Sequence, residues 1–279
     1  MKSYKVIIPL FIFIIALFLL AQKQPSLQAG AGTPTAFVYL PSIMRPAATP
    51  TPSPTPIPSP TPIPTDDLAA LSDQFEDNLI NGSWTIFNAP DFSQDEYGGQ
   101  RHMVPSNKVV WYKHNNGPFL YKLVDGDFMI TARVITNHTK PLDLSRPYQY
   151  AGIIMRDPDS DATGLENYVF DVVGMHIDEL AIETKSTIDD ESDVEQDKFW
   201  DDASAELRIC RLGADFYLYK RHVGETIWTL ERSFNRPDIG STVQAGIIAY
   251  AQNDSPDLDA GFEYVAFSRI NSLSDCTTD

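Results

Sequence analysis

The chain has 279 residues and a formal net charge of −17 at pH 7. Its acidic residues all follow Thr65, so the part of the chain beyond Thr65 is more acidic than this average. A surface of that charge repels phosphate backbones and anionic lipids. We therefore exclude nucleic acid as a partner and expect divalent cations or neutral sugars.

The first residues have the pattern of an export signal. Lys2 and Lys5 precede an unbroken apolar run over residues 6–21, which is short for a membrane span. An A-x-A sequence at residues 29–31 offers a cleavage site. We predict that residues 1–31 are a signal peptide or, alternatively, an uncleaved N-terminal anchor that provides membrane contact. Either alternative predicts a secreted or cell-surface protein.

A Thr/Pro-rich tract separates this signal from the rest of the chain. Residues 32–65 include T-P-T-P-S-P-T-P-I-P-S-P-T-P-I-P, in which alternate prolines fix φ and remove hydrogen-bond donors. Such a tract predicts a disordered, extended polyproline II linker of roughly 3 Å per residue. The linker would present a single domain, residues 66–279, on a stalk.

From residue 66 onward, short runs rich in Val, Ile, Phe and Tyr alternate with Gly, Pro, Asn and Asp clusters. This punctuation predicts strands at residues 84–88, 108–111, 119–123, 127–137, 150–156, 167–173, 180–186, 205–212, 214–221, 226–233, 242–251 and 261–270. Many short strands at regular spacing indicate an antiparallel sandwich or barrel. Residues 127–137 carry apolar groups on both faces, which predicts that one outer sheet face is partly covered or lines a groove.

The chain contains two cysteines, Cys210 and Cys276. Because an exported protein meets an oxidising environment, we predict one disulfide between them. It would pin the C-terminal segment to an inner strand. Two free thiols are the alternative.

Several motifs resemble the concanavalin A-like lectin/glucanase superfamily. They are F-E-D at 75–77, G-D-F at 126–128, A-G-I-I-M-R at 151–156, A-E-L-R-I-C-R-L-G at 205–213, G-E-T-I-W at 224–228 and F-E-Y-V-A-F at 262–267. Within the superfamily, the chain is most similar to a bacterial lectin-like branch of unassigned function related to laminin G-like modules. The resemblance implies an all-β, two-sheet antiparallel jelly-roll sandwich whose concave sheet often carries carbohydrate.

Glucanase members of that superfamily carry a catalytic E-x-D-x-E strand, and this pattern occurs at residues 191–195. Glu191 and Glu195 would then act as an acid pair on one strand face. Ser192 stands where an apolar residue usually follows the first Glu, and five further aspartates surround the motif. We therefore interpret it as an acidic loop. Asp171 and Glu183 are the alternative acid pair.

Two acidic turns have spacing that can wrap oxygen ligands around calcium. Each follows one copy of an A-G-I-I repeat, at residues 151–154 and 245–248. If both turns project from one end of the sandwich, their carboxylates form a calcium site; the alternative is two solvated hairpin tips. The carboxylates are Asp157, Asp159, Asp161, Asp254, Asp257 and Asp259.

Candidate ligand-binding residues are aromatic groups beside amide-rich sequence and charged groups within strands. Trp111 and Tyr112 precede the loop H-N-N-G-P and can stack on sugar rings, although large aromatics also fill cores. Strand arginines can bind sugar hydroxyls if they line the concave face, or form cross-strand ion pairs instead. This set comprises Trp111, Tyr112, Arg133, Arg156, Asp171, Glu183 and Arg208.

These observations predict a non-catalytic, stalk-presented carbohydrate-binding module, with calcium as its one expected cofactor and a carbohydrate or cell-surface glycan as its partner. A glycoside hydrolase of the glucanase type is the first alternative. A structural adhesion domain with no small ligand is the second.

Overall fold

Antiparallel strands make up most of the described chain. The computed structural model describes residues 66–80, 83–139 and 147–279, so the predicted signal and linker lie outside the described residues. The strands are β1 Thr85–Phe87, β2 Phe92–Tyr97, β3 Gln100–Pro105, β4 Phe119–Asp125, β5 Phe128–His138, β6 Gln149–Arg156, β7 Tyr168–Met175, β8 Leu180–Ile188, β9 Glu191–Asp197, β10 Ser204–Leu212, β11 Asp215–Arg221, β12 Thr229–Asn235, β13 Thr242–Ala251 and β14 Leu258–Arg269.

Among residues 66–80, 83–139 and 147–279, helical structure is confined to short turns. One α-helical turn, α1, covers Ser160–Thr163, and 3-10 turns cover Ala69–Leu71, Ala89–Asp91 and Leu273–Thr277. Among the described residues, no helix is both long and apolar enough to cross a membrane.

The strands form two sheets of seven strands each. The first sheet has the order β1-β4-β13-β6-β7-β8-β9, and the second has the order β12-β11-β10-β5-β14-β3-β2. All the strand pairings are antiparallel, as in β13 with β6 and β10 with β5. The predicted all-β, two-sheet sandwich is confirmed.

The core lies between the two sheets and follows strand alternation. On β5, Phe128, Ile130, Ala132 and Val134 are fully buried in this core, as the period-2 pattern predicts. The other face of β5 is partly covered, as its pattern predicts, because Met129 packs against a cluster on the outer face of the second sheet. A further buried cluster, which the pattern of β5 did not predict, covers the outer face of the first sheet.

Three strands were not predicted from the sequence. They are β2, β3 and β9; the exposed residues of β2 and β9 are mostly polar or acidic, whereas β3 is largely buried. Conversely, the predicted strand at residues 108–111 is wrong: this stretch makes one isolated bridge, between Val109 and Ala251. It belongs to a loop over residues 106–118 that crosses the outer face of the first sheet, which we call the strap.

The predicted disulfide joins Cys210 to Cys276. Cys210 lies on β10, the third strand of the second sheet, so the bond does pin the C-terminal segment to an inner strand. Trp228 and Tyr219 pack around it on the outer face of the second sheet.

Glycines let neighbouring strands approach closely within the first sheet. A Cβ on Gly152 would lie 2.1 Å from the carbonyl oxygen of Asp171, and one on Gly246 would lie 1.9 Å from that of Leu120. Neither glycine sits beside a turn, so the requirement is for space. Both come from the A-G-I-I copies, which pair with each other as β6 and β13.

Candidate functional site

A cleft of about 860 Å³ opens on the outer face of the first sheet, beside the strap. Its floor comes from β6, β8 and β13, one side comes from β9, and the other comes from the strap. The lining residues are Asp91, Lys108, Val109, Val110, Trp111, Tyr112, Asn115, Asn116, Tyr148, Tyr150, His176, Glu183, Lys185, Val194, Gln196, Tyr250 and Gln252.

Two tyrosines form the aromatic floor. Tyr150 and Tyr250 are direct cross-strand partners on β6 and β13, with ring centroids 5.6 Å apart. Phe170 packs 6.1 Å from Tyr250. Burial raises the pKa of both tyrosines well above the usual value, and the Glu183 carboxylate adds to this. Their hydroxyls therefore stay protonated and act as hydrogen-bond groups.

A buried ion pair stands on this floor. Glu183 Oε1 lies 3.1 Å from Lys185 Nζ, and the two side chains are 6% and 3% exposed. The hydroxyl of Tyr250 donates to Glu183 Oε1 at 3.2 Å, and Gln196 Nε2 donates to Glu183 Oε2 at 3.0 Å. The carboxylate is thus held by three donors from three strands.

Lys185 also ties the strap to the sheet. Its ammonium donates to the carbonyl oxygen of Trp111 at 2.6 Å and lies 4.4 Å from the Phe170 ring centre. Burial lowers the pKa of Lys185, while Glu183 opposes this shift. A second contact fixes the same loop, because Lys113 N donates to Ser192 Oγ on β9 at 2.9 Å.

His176 lies at one end of the cleft. Its Nδ1 is 2.9 Å from the Tyr150 hydroxyl, and Tyr148 packs edge-on to its ring at 5.1 Å. Burial lowers the pKa of His176, and the Lys198 ammonium lowers it further. The imidazole is therefore uncharged at neutral pH.

The rim of the cleft offers an exposed ring and several amides. Tyr112 is 43% exposed, the largest exposure of any described aromatic that lines the cleft. Asn115 and Gln252 are exposed at the same rim, and Asn116 is half-buried. A flat ring beside amide groups can stack on a sugar face and bond its hydroxyls.

The two aromatic residues predicted to bind ligand, Trp111 and Tyr112, lie in different environments. Trp111 has no exposed surface, and it packs edge-on against Phe119 at 5.9 Å and Tyr168 at 5.3 Å. Its ring is a core element beneath the strap and offers no stacking surface. Tyr112, the next residue, is the exposed one.

The predicted arginines are not brought together. Arg156 lies on the outer face of the first sheet, where Glu166 Oε2 accepts from its Nε at 2.7 Å and Gln244 Oε1 from its Nη1 at 2.7 Å. It belongs to an ion-paired network that is not part of the cleft lining.

Arg133 and Arg208 lie on the outer face of the second sheet, away from the cleft. Arg133 pairs with Glu206 and Glu263 at 2.8 and 2.7 Å. Arg208 stacks over Trp228 and donates to the carbonyl oxygen of Cys276 at 2.9 Å. Cross-strand and tail contacts account for both residues, as the ion-pair alternative expects.

Asp171 and Glu183 point to opposite faces of the first sheet. In the β7–β8 register, Glu183 pairs with Val172 on the cleft face, so Asp171 on the adjacent position faces the sandwich interior. Asp171 is fully buried, and neither of its oxygens accepts a hydrogen bond from a described residue. Burial raises its pKa well above the usual value, and Glu231 adds to this. The sheet therefore separates this nominated acid pair.

The E-x-D-x-E motif lies on a strand, so its interpretation as a loop is wrong. It falls on β9, the edge strand of the first sheet. Glu191, Asp193 and Glu195 are exposed, while Val194 and Gln196 face the cleft. Arg232 of the second sheet bridges Asp193 at 2.6 Å and Glu195 at 3.2 Å. These carboxylates thus lie on the face of β9 away from the cleft.

The two acidic turns lie at opposite ends of the first sheet. One follows the end of β6 at Arg156, which pairs with Gln244 near the start of β13, and the other follows the end of β13. The eight residues of β6 separate them by about 23 Å. The expected six-carboxylate site is therefore not formed.

Individual aspartates of these turns have other partners. Asp161 pairs with Arg156 at 2.9 Å, Asp257 accepts from Gln149 at 2.8 Å, and Asp259 lies 2.8 Å from His102. Within residues 66–80, 83–139 and 147–279, no group of three or more metal-binding side chains is placed to hold an ion. A calcium requirement stays a prediction.

Sequence reasoning missed most of the cleft floor, although one signal was available. Tyr150 directly precedes the first A-G-I-I copy, and Tyr250 follows the second by one residue. Antiparallel pairing of the two copies places these tyrosines opposite each other. Lys185, Gln196 and His176 carried no comparable pattern.

No protein-family model matches this chain, and no curated protein matches it in sequence. Solved structures do resemble it. A Saccharomyces cerevisiae protein of unknown function aligns with a TM-score of 0.57 at 16% identity, covering 68% of this chain and 97% of that chain. The similar region therefore makes up nearly all of that chain.

Two larger proteins contain a similar fold. The xylan β-1,4-xylosidase of Bacillus halodurans C-125 aligns with a TM-score of 0.55 at 12% identity, over 77% of this chain and 41% of that chain. The structure named Bacteroides ovatus Xyloglucan PUL GH43B aligns with a TM-score of 0.55 at 14% identity, over 71% and 39%. This chain spans about two fifths of each. At these identities the likeness defines a class, the two-sheet antiparallel β-sandwich.

Proposed function

We propose that this protein is an exported, stalk-presented and non-catalytic carbohydrate-binding module of the concanavalin A-like kind, whose ligand occupies the cleft. The observation that carries the proposal is the cleft itself. It combines a tyrosine floor, the exposed ring of Tyr112 and a ring of amide and hydroxyl groups. Apolar surface with a few fixed polar groups is the usual composition of a small-ligand site.

Export is supported by sequence and chemistry together. The N-terminal segment has the features of a secretory signal, and the Cys210–Cys276 disulfide is of the kind that persists in oxidising compartments. The acidic surface suits an uncharged ligand better than a polyanion.

The hydrolase alternative lacks support from the residues nominated for it. A glycosidase needs two carboxyl groups on either side of one bond, about 5–9.5 Å apart. Asp171 and Glu183 are separated by the sheet, and Glu191 and Glu195 lie on the face of β9 away from the cleft. We therefore expect the protein to bind glycans without hydrolysing them, which incubation with the best array ligand and chromatography of the products would check.

A glycan array probed with the purified protein, in calcium and again in a chelator, tests the proposal. Xylan and xyloglucan fragments belong on the array because two proteins of similar fold carry those names. We expect binding in both conditions, and this result would contradict the prediction that calcium is a cofactor. Binding lost with the chelator would establish a calcium-organised lectin. Binding to no glycan would contradict the proposal and favour a structural adhesion domain.

A further inference from the structure

The floor of the cleft presents a buried ion pair whose hydrogen bonds are incomplete. A lysine ammonium has three donors, and Lys185 uses two, to Glu183 Oε1 and to the carbonyl oxygen of Trp111. A carboxylate has about four acceptor positions, and Glu183 uses three, for Lys185, Tyr250 and Gln196. Among the described residues, one donor and one acceptor position remain on neighbouring groups.

We propose that this pair selects uncharged, hydroxyl-bearing ligands and rejects both acidic and basic sugars. This inference rests on the proposed carbohydrate-binding function and names its ligand class. A hydroxyl is at once a donor and an acceptor, so it can complete Glu183 and Lys185 without separating them.

A charged ligand group would have to break the pair. A ligand carboxylate that took the Lys185 ammonium would leave Glu183 buried without its counter-ion. A ligand ammonium that paired with Glu183 would leave the Lys185 ammonium buried without its counter-ion. Breaking one side of a buried pair is strongly unfavourable, because the remaining charge is uncompensated.

The rest of the cleft carries no net charge that would favour a ligand of either sign. Its lining contains one other acid, Asp91, and one other lysine, Lys108, and His176 is uncharged at neutral pH. The lining thus has no net charge, although the whole chain carries −17. The electrostatic field of the negatively charged protein disfavours the approach of acidic glycans. The Glu183–Lys185 pair disfavours the binding of glycans with either sign of charge.

Calorimetric titration of the full-length protein with three matched oligosaccharides tests the proposal. One is neutral, one carries a uronic acid and one carries a free amino sugar, each at low and high salt. The neutral ligand should bind about tenfold or more tightly than either charged one, with little change between the salts. Equal or tighter binding of a charged ligand would overturn the selectivity inference and leave the carbohydrate-binding function standing. If none of the three oligosaccharides binds, the result would contradict both the selectivity inference and the carbohydrate-binding function.

Two single variants test the origin of the selectivity. Glu183→Gln leaves the ammonium unpaired, so the ratio of neutral to uronate affinity should fall by about tenfold. Lys185→Met leaves the carboxylate unpaired, so the ratio of neutral to amino-sugar affinity should fall similarly. Glu225→Gln, an exposed change in the loop between β11 and β12, should alter neither ratio.

Circular dichroism and melting curves establish that each variant is folded. The titration of the unaltered protein tests the inference by itself, independently of either variant. Unchanged ratios in folded Glu183→Gln and Lys185→Met would overturn the role of the pair.

Discussion

Asp171 shows how one buried residue can control stability without belonging to the site. Its carboxyl lies between the sheets, without a hydrogen-bond donor among the described residues, and its pKa is raised by burial and by Glu231. The folded state therefore keeps a proton that the unfolded chain releases near pH 4, at about the usual pKa of an aspartate. As a result, this group lowers the free energy of unfolding as pH rises from that value towards its folded-state pKa.

Asp171→Asn should remove the decrease in the free energy of unfolding that Asp171 causes as pH rises. The stability of the variant relative to the unaltered protein should increase with pH, by up to about 1.4 kcal/mol per pH unit, over the range above pH 4. Urea unfolding at pH 4, 6 and 8 measures the difference. Asp254→Asn, at an exposed position, is the control. A stability difference independent of pH would show that Asp171 is not protonated in the fold.

Tyr112 is the exposed ring of the cleft, and its change tests stacking. Tyr112→Ala should weaken glycan binding by about 1 kcal/mol, or roughly fivefold, because an aromatic contact is lost. Tyr112→Phe keeps the ring and should bind as the unaltered protein does. Calorimetry with the best array ligand provides the comparison. Equal weakening in both variants would assign the effect to the hydroxyl and not to the ring.

At the scale of elements, the first sheet depends on glycines at the paired A-G-I-I copies. A Cβ on Gly152 would meet the Asp171 carbonyl oxygen and Val172 Cα at 2.1 and 2.6 Å, and both belong to the backbone of β7. Backbone of an inner strand cannot move aside as a flexible side chain can. A side chain at residue 152 therefore requires the backbones of β6 and β7 to move apart.

Gly152→Ala should destabilise the protein by about 3 kcal/mol and lower its melting temperature by about 6–12 °C. Gly240→Ala is the matched control, because a Cβ there meets no atom within 4 Å. Thermal unfolding measures the melting temperatures of the two variants and of the unaltered protein. Similar melting temperatures for the two would mean that β6 and β7 are not so closely packed.

The edge strand β9 shows why the alternation of apolar and polar residues does not predict every strand. Its exposed carboxylates and its one apolar residue, Val194, are typical of a loop by composition. Edge strands, however, tolerate charge on their open face, since charge discourages pairing with other chains. Its pairing with β8 places Gln196 beside Glu183.

For the whole molecule, the disulfide links residues 66 apart in sequence and closes a loop that includes β11 to β14. Such a bond restricts the unfolded chain, and the loop-closure relation gives about 4 kcal/mol for this length. The Cys210→Ala/Cys276→Ala variant should lose about that much stability in urea unfolding. The unaltered protein in reductant should lose a similar amount. An unchanged midpoint in both would contradict a stabilising disulfide.

The sequence predicts the sandwich more fully than it predicts the site. Strands such as β5 and β13 follow from local alternation, and their predicted bounds lie within a residue of those observed. The cleft depends instead on contacts between distant segments, such as Lys185 with the Trp111 carbonyl oxygen. Side-chain patterns do not encode such contacts, because the acceptor is a backbone group in a loop. Which face Glu183 and Asp171 occupy likewise required the strand register.

Hydrogen exchange of the full-length protein, with and without the best array glycan, tests the central claim most directly. If the ligand occupies the cleft, amides of the strap at residues 106–118 and of β8 and β9 should exchange more slowly when it is bound. Amides of the second sheet should be unaffected. Protection confined to the second sheet or to the acidic turns would contradict the assignment of the cleft as the binding site.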